Sequence, residues 1–153
     1  MAAWKKTFIN AFLAQILSIV GFSFALPFLP FFIAELGITD QAEQAYWAGI
    51  VMASAGVTLA LFAPVWGVLA DRYGRKAMVV RAMFGGTVVL TLMSLSQTVV
   101  QLVICRFLQG AMTGTVAASV ALVASVVPER RSGLALGMMQ AAVFLGVSLG
   151  PLV

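Results

Sequence analysis

The sequence predicts an all-α integral membrane protein, a bundle of about five transmembrane helices, and three observations carry that prediction. Apolar residues make up 62% of the 153 residues and charged residues only 9%, with a mean hydropathy of +1.07. Five apolar stretches are long enough to cross a bilayer, which takes about 20 residues of helix for roughly 30 Å of hydrocarbon. The charges fall almost entirely between those stretches and segregate by side. A soluble domain carries roughly a quarter charged residues, because its surface must face water. The 9 basic and 5 acidic residues here cannot cover such a surface, but they can mark the loops of a bundle in lipid.

The first stretch covers about residues 7–33. It is too long for a cleavable signal peptide and has no small-residue cleavage site before polar sequence. Pro27 and Pro30 near its far end each remove a helical hydrogen bond and invite a kink. Phe22, Phe24, Phe28, Phe31 and Phe32 surround them, and either lipid contact and packing or ligand binding accounts for aromatics there. The second stretch covers about residues 47–70, the third about 77–95 and the fourth about 99–127. The fifth begins near Gly133 and is still apolar at Val153, with small residues at Gly133, Gly137, Ala141, Ala142, Gly146 and Gly150. Gly146 and Gly150 form a small-xxx-small pair that permits close helix approach, and Pro151 directly after them invites another kink. The stretch ends with no flanking charge or cap, so the sequence is expected to be the N-terminal part of a longer protein.

The loops predict the direction of threading. Lys5 and Lys6 precede the first stretch; Arg72, Arg75 and Lys76 lie between the second and third, with Arg81 just inside the third; Arg130 and Arg131 separate the fourth and fifth. The opposite loops, about residues 34–46 and 96–98, hold Glu35, Asp40 and Glu43 and no Lys or Arg. Eight of the 9 basic residues therefore share one side, which the positive-inside rule assigns to the cytoplasm together with the N-terminus. Trp4, Trp47, Trp66 and Tyr73 lie near the expected interfaces, where amphipathic rings collect.

Composition also excludes several chemistries. The chain has no His and a single cysteine, Cys105, inside an apolar run, so a metal site, an internal disulfide or thiol catalysis is not expected, and no cofactor is implied. Cys105 reads as a small buried hydrophobe. No stretch holds the acid pairs, His clusters or Ser–base sets of a membrane enzyme. The net charge of +4 is spread over loops rather than massed on one face; it orients the chain and implies no nucleic-acid partner.

The ninth basic residue, Arg106, falls inside the fourth stretch. A charge there is costly, about 2.5–3.5 kcal/mol on insertion scales, and marks a functional site by default. Gln109, Gly110, Thr113 and Ala117 follow it on one helical stripe of polar and small residues, expected to face the bundle interior or a watery cavity. A structural role, snorkelling or tying down backbone carbonyls, stands beside the functional one.

The loop Gly67-Val-Leu-Ala-Asp71-Arg72-Tyr-Gly74-Arg75-Lys76 is the most informative segment. Gly67 and Asp71 share a helical face, so a second helix can approach at the glycine and offer its N-terminal amides to the carboxylate. Gly74 suits the tight reversal between two spans. Arg75 and Lys76 can pair with carboxylates, and Glu129 at the end of the fourth stretch is the expected partner.

These elements together resemble the major facilitator superfamily. The Gly67–Lys76 loop resembles its signature between spans two and three, and Arg106-Phe-Leu-Gln109-Gly110 resembles the RxxQG element of span four. Gly146-Val-Ser-Leu-Gly150-Pro151 is similar to the start of the antiporter motif of span five, and Pro27-Phe-Leu-Pro30 to the paired prolines in span one of the drug:proton antiporter branch. The resemblance covers essentially the whole chain. It implies two six-span bundles around a cavity that opens alternately to either side, with five of twelve spans present here and the C-terminal bundle absent.

By the same resemblance, Asp71 latches onto a helix of the second bundle, and Arg75 with Glu129 belongs to that charge network. Arg106, with Gln109 and Gly110, helps couple proton movement to substrate release. Gly146, Gly150 and Pro151 shape the contact between span five and the opposite bundle. The implied activity is proton-coupled efflux of small drugs or amphipathic compounds from the bacterial inner membrane. Its partners are the bilayer, a small-molecule substrate, protons and the remaining half of the transporter. Export of a sugar, siderophore or other metabolite, and a transport-inactive fragment, are the alternatives. The sequence departs from the drug:proton branch in one respect: its first span contains no acidic residue, Glu35 lying at or beyond the outer end, so the proton-titrating carboxylate is expected elsewhere.

Overall fold

Proline, glycine and one aspartate cap decide where the apolar stretches become helices and where they break. The computed structural model describes residues 3–152. Its elements are α1 (Ala3–Ala25), α2 (Leu29–Glu35), α3 (Gln41–Tyr73), α4 (Arg75–Ser94), α5 (Val99–Met112), α6 (Thr115–Val126), α7 (Glu129–Leu149) and a single 3-10 turn at Gly150–Leu152. Among the described residues, five stretches are long and apolar enough to cross a membrane: Trp4–Ala25, Gln41–Tyr73, Arg75–Ser94, Val99–Val126 and Glu129–Leu152. Val153, the expected end of the fifth span, lies outside the described residues.

The first span is not continuous over 7–33. It breaks at residues 26–28 around Pro27, where Leu26 donates to Ser23 O (3.3 Å) and Leu29 to Leu26 O (3.2 Å) in tightened turns. Pro30 then sits in the first turn of α2, where a missing N–H is tolerated. The second span begins at Gln41 rather than near 47, because Asp40 caps it, its Oδ2 accepting from the Glu43 N–H at 3.0 Å. At 33 residues, α3 is about 50 Å long at 1.5 Å per residue, so it projects beyond the hydrocarbon. A single residue, Gly74 at φ +93°, links it to α4.

The fourth span departs most from expectation. It divides at Thr113–Gly114, where Gly114 adopts φ +100°, a conformation that costs a residue with a side chain. The break resets the helical phase. Ala117 is consequently exposed, and Ser119 and Val123 take the buried face of α6, so the stripe that begins at Arg106 does not run on through Ala117. The fifth span starts four residues early, at Glu129, after Pro128.

Two apolar clusters anchor the bundle. At the end bearing Glu35, Asp40 and Glu43, Leu29, Ile33, Val51, Val89, Met93, Val99 and Leu102 are buried together. At the end bearing Lys5, Arg75 and Arg131, Ala11, Val123, Val127, Ala135 and Met139 form the second. Large apolar side chains such as Leu17, Phe31, Phe84 and Leu134 are left on the outside, as lipid contact requires.

Candidate functional site: a buried arginine beside an aromatic cavity

Arg106 lies seven residues into α5 and is 1% exposed. Leu102 and Gln109, one turn away on either side, are buried with it. Its Nη1 donates to Gln109 Oε1 at 3.0 Å, and its Cζ stands 5.3 Å from the centroid of the Phe22 ring, within reach of the ring's negative face. The Nε is buried without a hydrogen-bond partner, and no carboxylate lies within ion-pair distance among the described residues. A buried guanidinium with one neutral partner is under-satisfied, since such charges normally hold several hydrogen bonds or a counter-charge. It borders an open cleft of about 430 Å³ lined by Phe24, Phe28, Phe32, Met93 and Leu102, mostly apolar with one cationic point. Gly110 completes the element from the other face: a Cβ there would collide with the Ala55 carbonyl, so only glycine lets α5 press this closely on α3.

Two residues that the sequence assigns to an interface and to the orienting charges, Trp66 and Arg81, hold the break that follows. Trp66 Nε1 donates to Ala111 O at 2.6 Å and Arg81 Nη2 to Thr113 O at 3.2 Å. These are carbonyls at the end of α5 that lose helical partners where the chain turns at Gly114. Trp66 is thus tied to α5, and Arg81 reaches inward from α4.

The signature loop is open to solvent. Asp71 Oδ1 and Arg75 Nη2 form an exposed pair at 3.5 Å. Arg75, expected to pair with Glu129, instead donates through Nη1 to Ala121 O at 2.8 Å, because its position at the start of α4 directs it onto α6. Glu129 is exposed in the first turn of α7 and forms no ion pair among the described residues. Arg72 lies over the Tyr73 ring at 5.7 Å, Lys76 is exposed, and Gly67 has open space where a Cβ would stand.

Gly146 and Gly150 pack within this bundle. A Cβ on Gly146 would come within 2.6 Å of the Ile19 side chain, and one on Gly150 within 2.5 Å of Ser23 Cβ. The small-residue pair therefore seats α7 against α1. Pro151 lies in the 3-10 turn that follows. Pro27 lies in the α1–α2 break and Pro30 in the first turn of α2, next to the Arg106 cavity.

The structure thus joins Arg106 with Gln109, Asp71 with Arg75, and the paired glycines with α1, as three separate places. A further buried polar residue, Gln15 at 0% exposure, donates to Met139 O at 2.7 Å across the same α1–α7 contact. Its sequence signal was a lone amide in the apolar run of residues 11–20.

The Major Facilitator Superfamily profile matches residues 11–153. Multidrug resistance protein MdtG of Escherichia fergusonii is 40% identical over 149 residues, covering 97% of this chain and 36% of that protein. MdtG of Escherichia coli O1:K1 and of strain K12 show the same identity and coverage. The chain therefore spans about a third of the length of these relatives. With five membrane-length helices and the profile matched along nearly its whole length, this multi-pass membrane chain belongs to the Major Facilitator Superfamily.

Proposed function

We propose that this chain is the first five spans of the N-terminal bundle of a secondary active transporter that exports small drugs or amphipathic compounds in exchange for protons. The observation that carries the reading is Arg106, a buried cation with one neutral partner and an unpartnered Nε at the edge of an aromatic cavity. A fixed positive charge at low dielectric favours an anion nearby and disfavours a second cation. Substrate occupancy and the charge of a carboxylate elsewhere in the protein are then energetically linked through it, which is the requirement for exchange. The apolar and aromatic walls suit lipophilic cargo. The relatives' designation as multidrug resistance proteins supports the same cargo class, and the role is that of a carrier, not a catalyst.

In this reading a sixth span and a second six-span bundle complete the transporter. Gly67, Asp71, Arg72, Gly74, Arg75 and Lys76 form the gating loop, with Asp71 docking on a helix N-terminus of that bundle and the exposed Glu129 joining the same network. Gly146, Gly150 and Pro151 shape the contact between the fifth span and that bundle, the glycine pair also seating α7 on α1. The distribution of Lys and Arg supports a cytoplasmic N-terminus in the bacterial inner membrane.

The test is dye and drug accumulation in a host lacking its own pumps. Expression of the full-length protein is expected to lower ethidium accumulation, and Arg106→Ala in that protein to restore it with insertion intact. Unchanged accumulation across a broad panel of dyes and drugs would sink the proposal.

A further inference from the structure

Helices α1, α6 and α7 pack on one another, whereas α5 packs chiefly on α3 and α4. The cleft beside Arg106 opens between these two groups, with Phe24 and Ala25 of α1 on one side and Met93 and Leu102 of α4 and α5 on the other. At its edge the two groups meet through one side-chain contact, the Arg106 guanidinium over the Phe22 ring with Cζ 5.3 Å from the centroid. Phe22 is half-buried and is not among the residues that line the cleft. Its neighbour Ser23 is buried against Gly150, which fixes this end of α1.

We infer that Phe22 is the positioning residue of Arg106: the negative face of its ring holds the guanidinium at the cleft edge and ties α1 to α5 through it. This role presupposes the exchange of cargo for protons proposed above and names what regulates that site. Arg106 lies about 10 Å along α5 from its start at 1.5 Å per residue, within reach of the membrane surface for a snorkelling side chain. It is nevertheless 1% exposed, so something retains it. Gln109 bonds Nη1, which fixes one corner of a planar group and leaves the rest free to swing about that point. The ring supplies the second constraint, since its quadrupole attracts a cation, most strongly where water is excluded. A ring also carries no net charge. A carboxylate in the same place would cancel the field of the guanidinium, whereas phenylalanine holds the cation and leaves that field to act on an anion elsewhere. Phe24 and Phe28 line the cleft with their rings 5.4 Å apart. Cargo that displaces them therefore pushes on the helix end that carries Phe22, two residues away.

The experiment replaces Phe22 in the full-length protein by mono-, di- and trifluorophenylalanine, which keep the ring's shape while draining its negative face stepwise. In proteoliposomes the maximal rate of proton-driven ethidium exchange is expected to fall along the series, roughly ten-fold at three fluorines, the scale of a partly desolvated cation–π contact. The KM for ethidium is expected to stay constant, because the cleft walls are untouched. Phe22→Tyr and Phe22→Trp are expected to retain exchange and Phe22→Leu to lose it. The same fluorinated series at Phe12, which has no cation over its ring among the described residues, is expected to change nothing. Equilibrium unfolding in mixed micelles reads the contact without transport: the Phe22 series is expected to lower stability with Arg106 present and to be flat in Arg106→Met. This comparison decides if Phe22→Leu fails to insert. A flat flux series in a protein that loses export on Arg106→Ala overturns the positioning role and leaves the transport reading standing. A rise in KM at constant maximal rate makes Phe22 a cargo contact and also overturns it, as does an unfolding series that still slopes in Arg106→Met. A wild-type protein that exports nothing overturns the transport reading and this role with it.

Discussion

The guanidinium of Arg81 lies over the ring of Trp66, its Cζ 3.3 Å from the ring centroid, and both side chains donate to carbonyls at the end of α5. Cation and ring hold each other in place, and together they satisfy the backbone where the fourth span turns at Gly114. In hydrocarbon an unsatisfied carbonyl is costly, so a broken helix persists only where side chains replace its bonds. Trp66→Phe keeps the ring and removes the donor, and is expected to destabilise the protein by about 0.5–1.5 kcal/mol, the range for hydrogen bonds between membrane helices. Arg81→Lys keeps the charge but loses the planar stacking, with a similar cost. Thermal unfolding in detergent measures both, and an unchanged midpoint for Trp66→Phe would show that the Ala111 carbonyl finds another donor.

The glycines of α7 divide into two classes by what surrounds them. Gly146→Ala and Gly150→Ala drive a methyl into Ile19 and Ser23 on α1, and each is expected to cost about 1–3 kcal/mol as overpacking. Gly133→Ala and Gly137→Ala meet nothing within 4 Å and are expected to leave stability unchanged or raise it by roughly 0.5–1 kcal/mol, because glycine is a poor helix former. The same unfolding assay separates the classes. Equal effects at all four positions would refute the packing of α7 on α1 described above.

The contrast between these glycines explains how much of the architecture was legible in the sequence. Hydropathy located five spans because the cost of polar groups in lipid is paid residue by residue. Pro27 announced its break for the same local reason, through a missing N–H. Gly114 did not, since nothing in its neighbourhood distinguishes it from a helical glycine; the break depends on Trp66, 48 residues before it, and on Arg81. Asp40 concealed the start of α3 because a charge reads as loop until its side chain is seen capping Glu43 N. Arg106 and Gln109 were legible, being three residues apart on one turn. The partners that matter most to them, Phe22 and the cavity wall, come from a different span and carry no local signature.

Asp71 and Arg75 separate gating from folding. Their pair is exposed, with Asp71 74% accessible, and exposed pairs contribute about 0–1 kcal/mol. Asp71→Asn is therefore expected to shift unfolding little while reducing transport, if the carboxylate docks on a second bundle. Arg75→Ala also removes the donor to Ala121 O and is expected to cost about 1 kcal/mol more in stability than Asp71→Asn, the typical scale of a net hydrogen bond. Proteoliposome flux and thermal unfolding of the full-length protein, on the same preparations, distinguish the two. Wild-type flux in Asp71→Asn refutes the docking role, and matched unfolding midpoints refute the structural role of Arg75.

Arg106 and Gln109 predict a non-additive pair. Gln109→Leu removes the one side-chain acceptor that the guanidinium has among the described residues, and the guanidinium is already short of partners. Leaving a buried charge unpaired costs more than the bond itself contributes, so this single change is expected to destabilise by about 2–3 kcal/mol. Arg106→Met keeps the side-chain length and removes the charge, leaving a neutral amide whose unmet acceptor costs less. The double variant Arg106→Met with Gln109→Leu replaces both polar groups by apolar ones, and is expected to recover at least half of the loss seen in Gln109→Leu. Transport should respond in the opposite order: Gln109→Leu keeps the cation and retains some exchange, whereas both variants lacking Arg106 lose it. A double variant less stable than Gln109→Leu would mean that Arg106 is held by more than Gln109 and the Phe22 ring. A double variant that still exchanges protons for substrate would remove Arg106 from the coupling machinery.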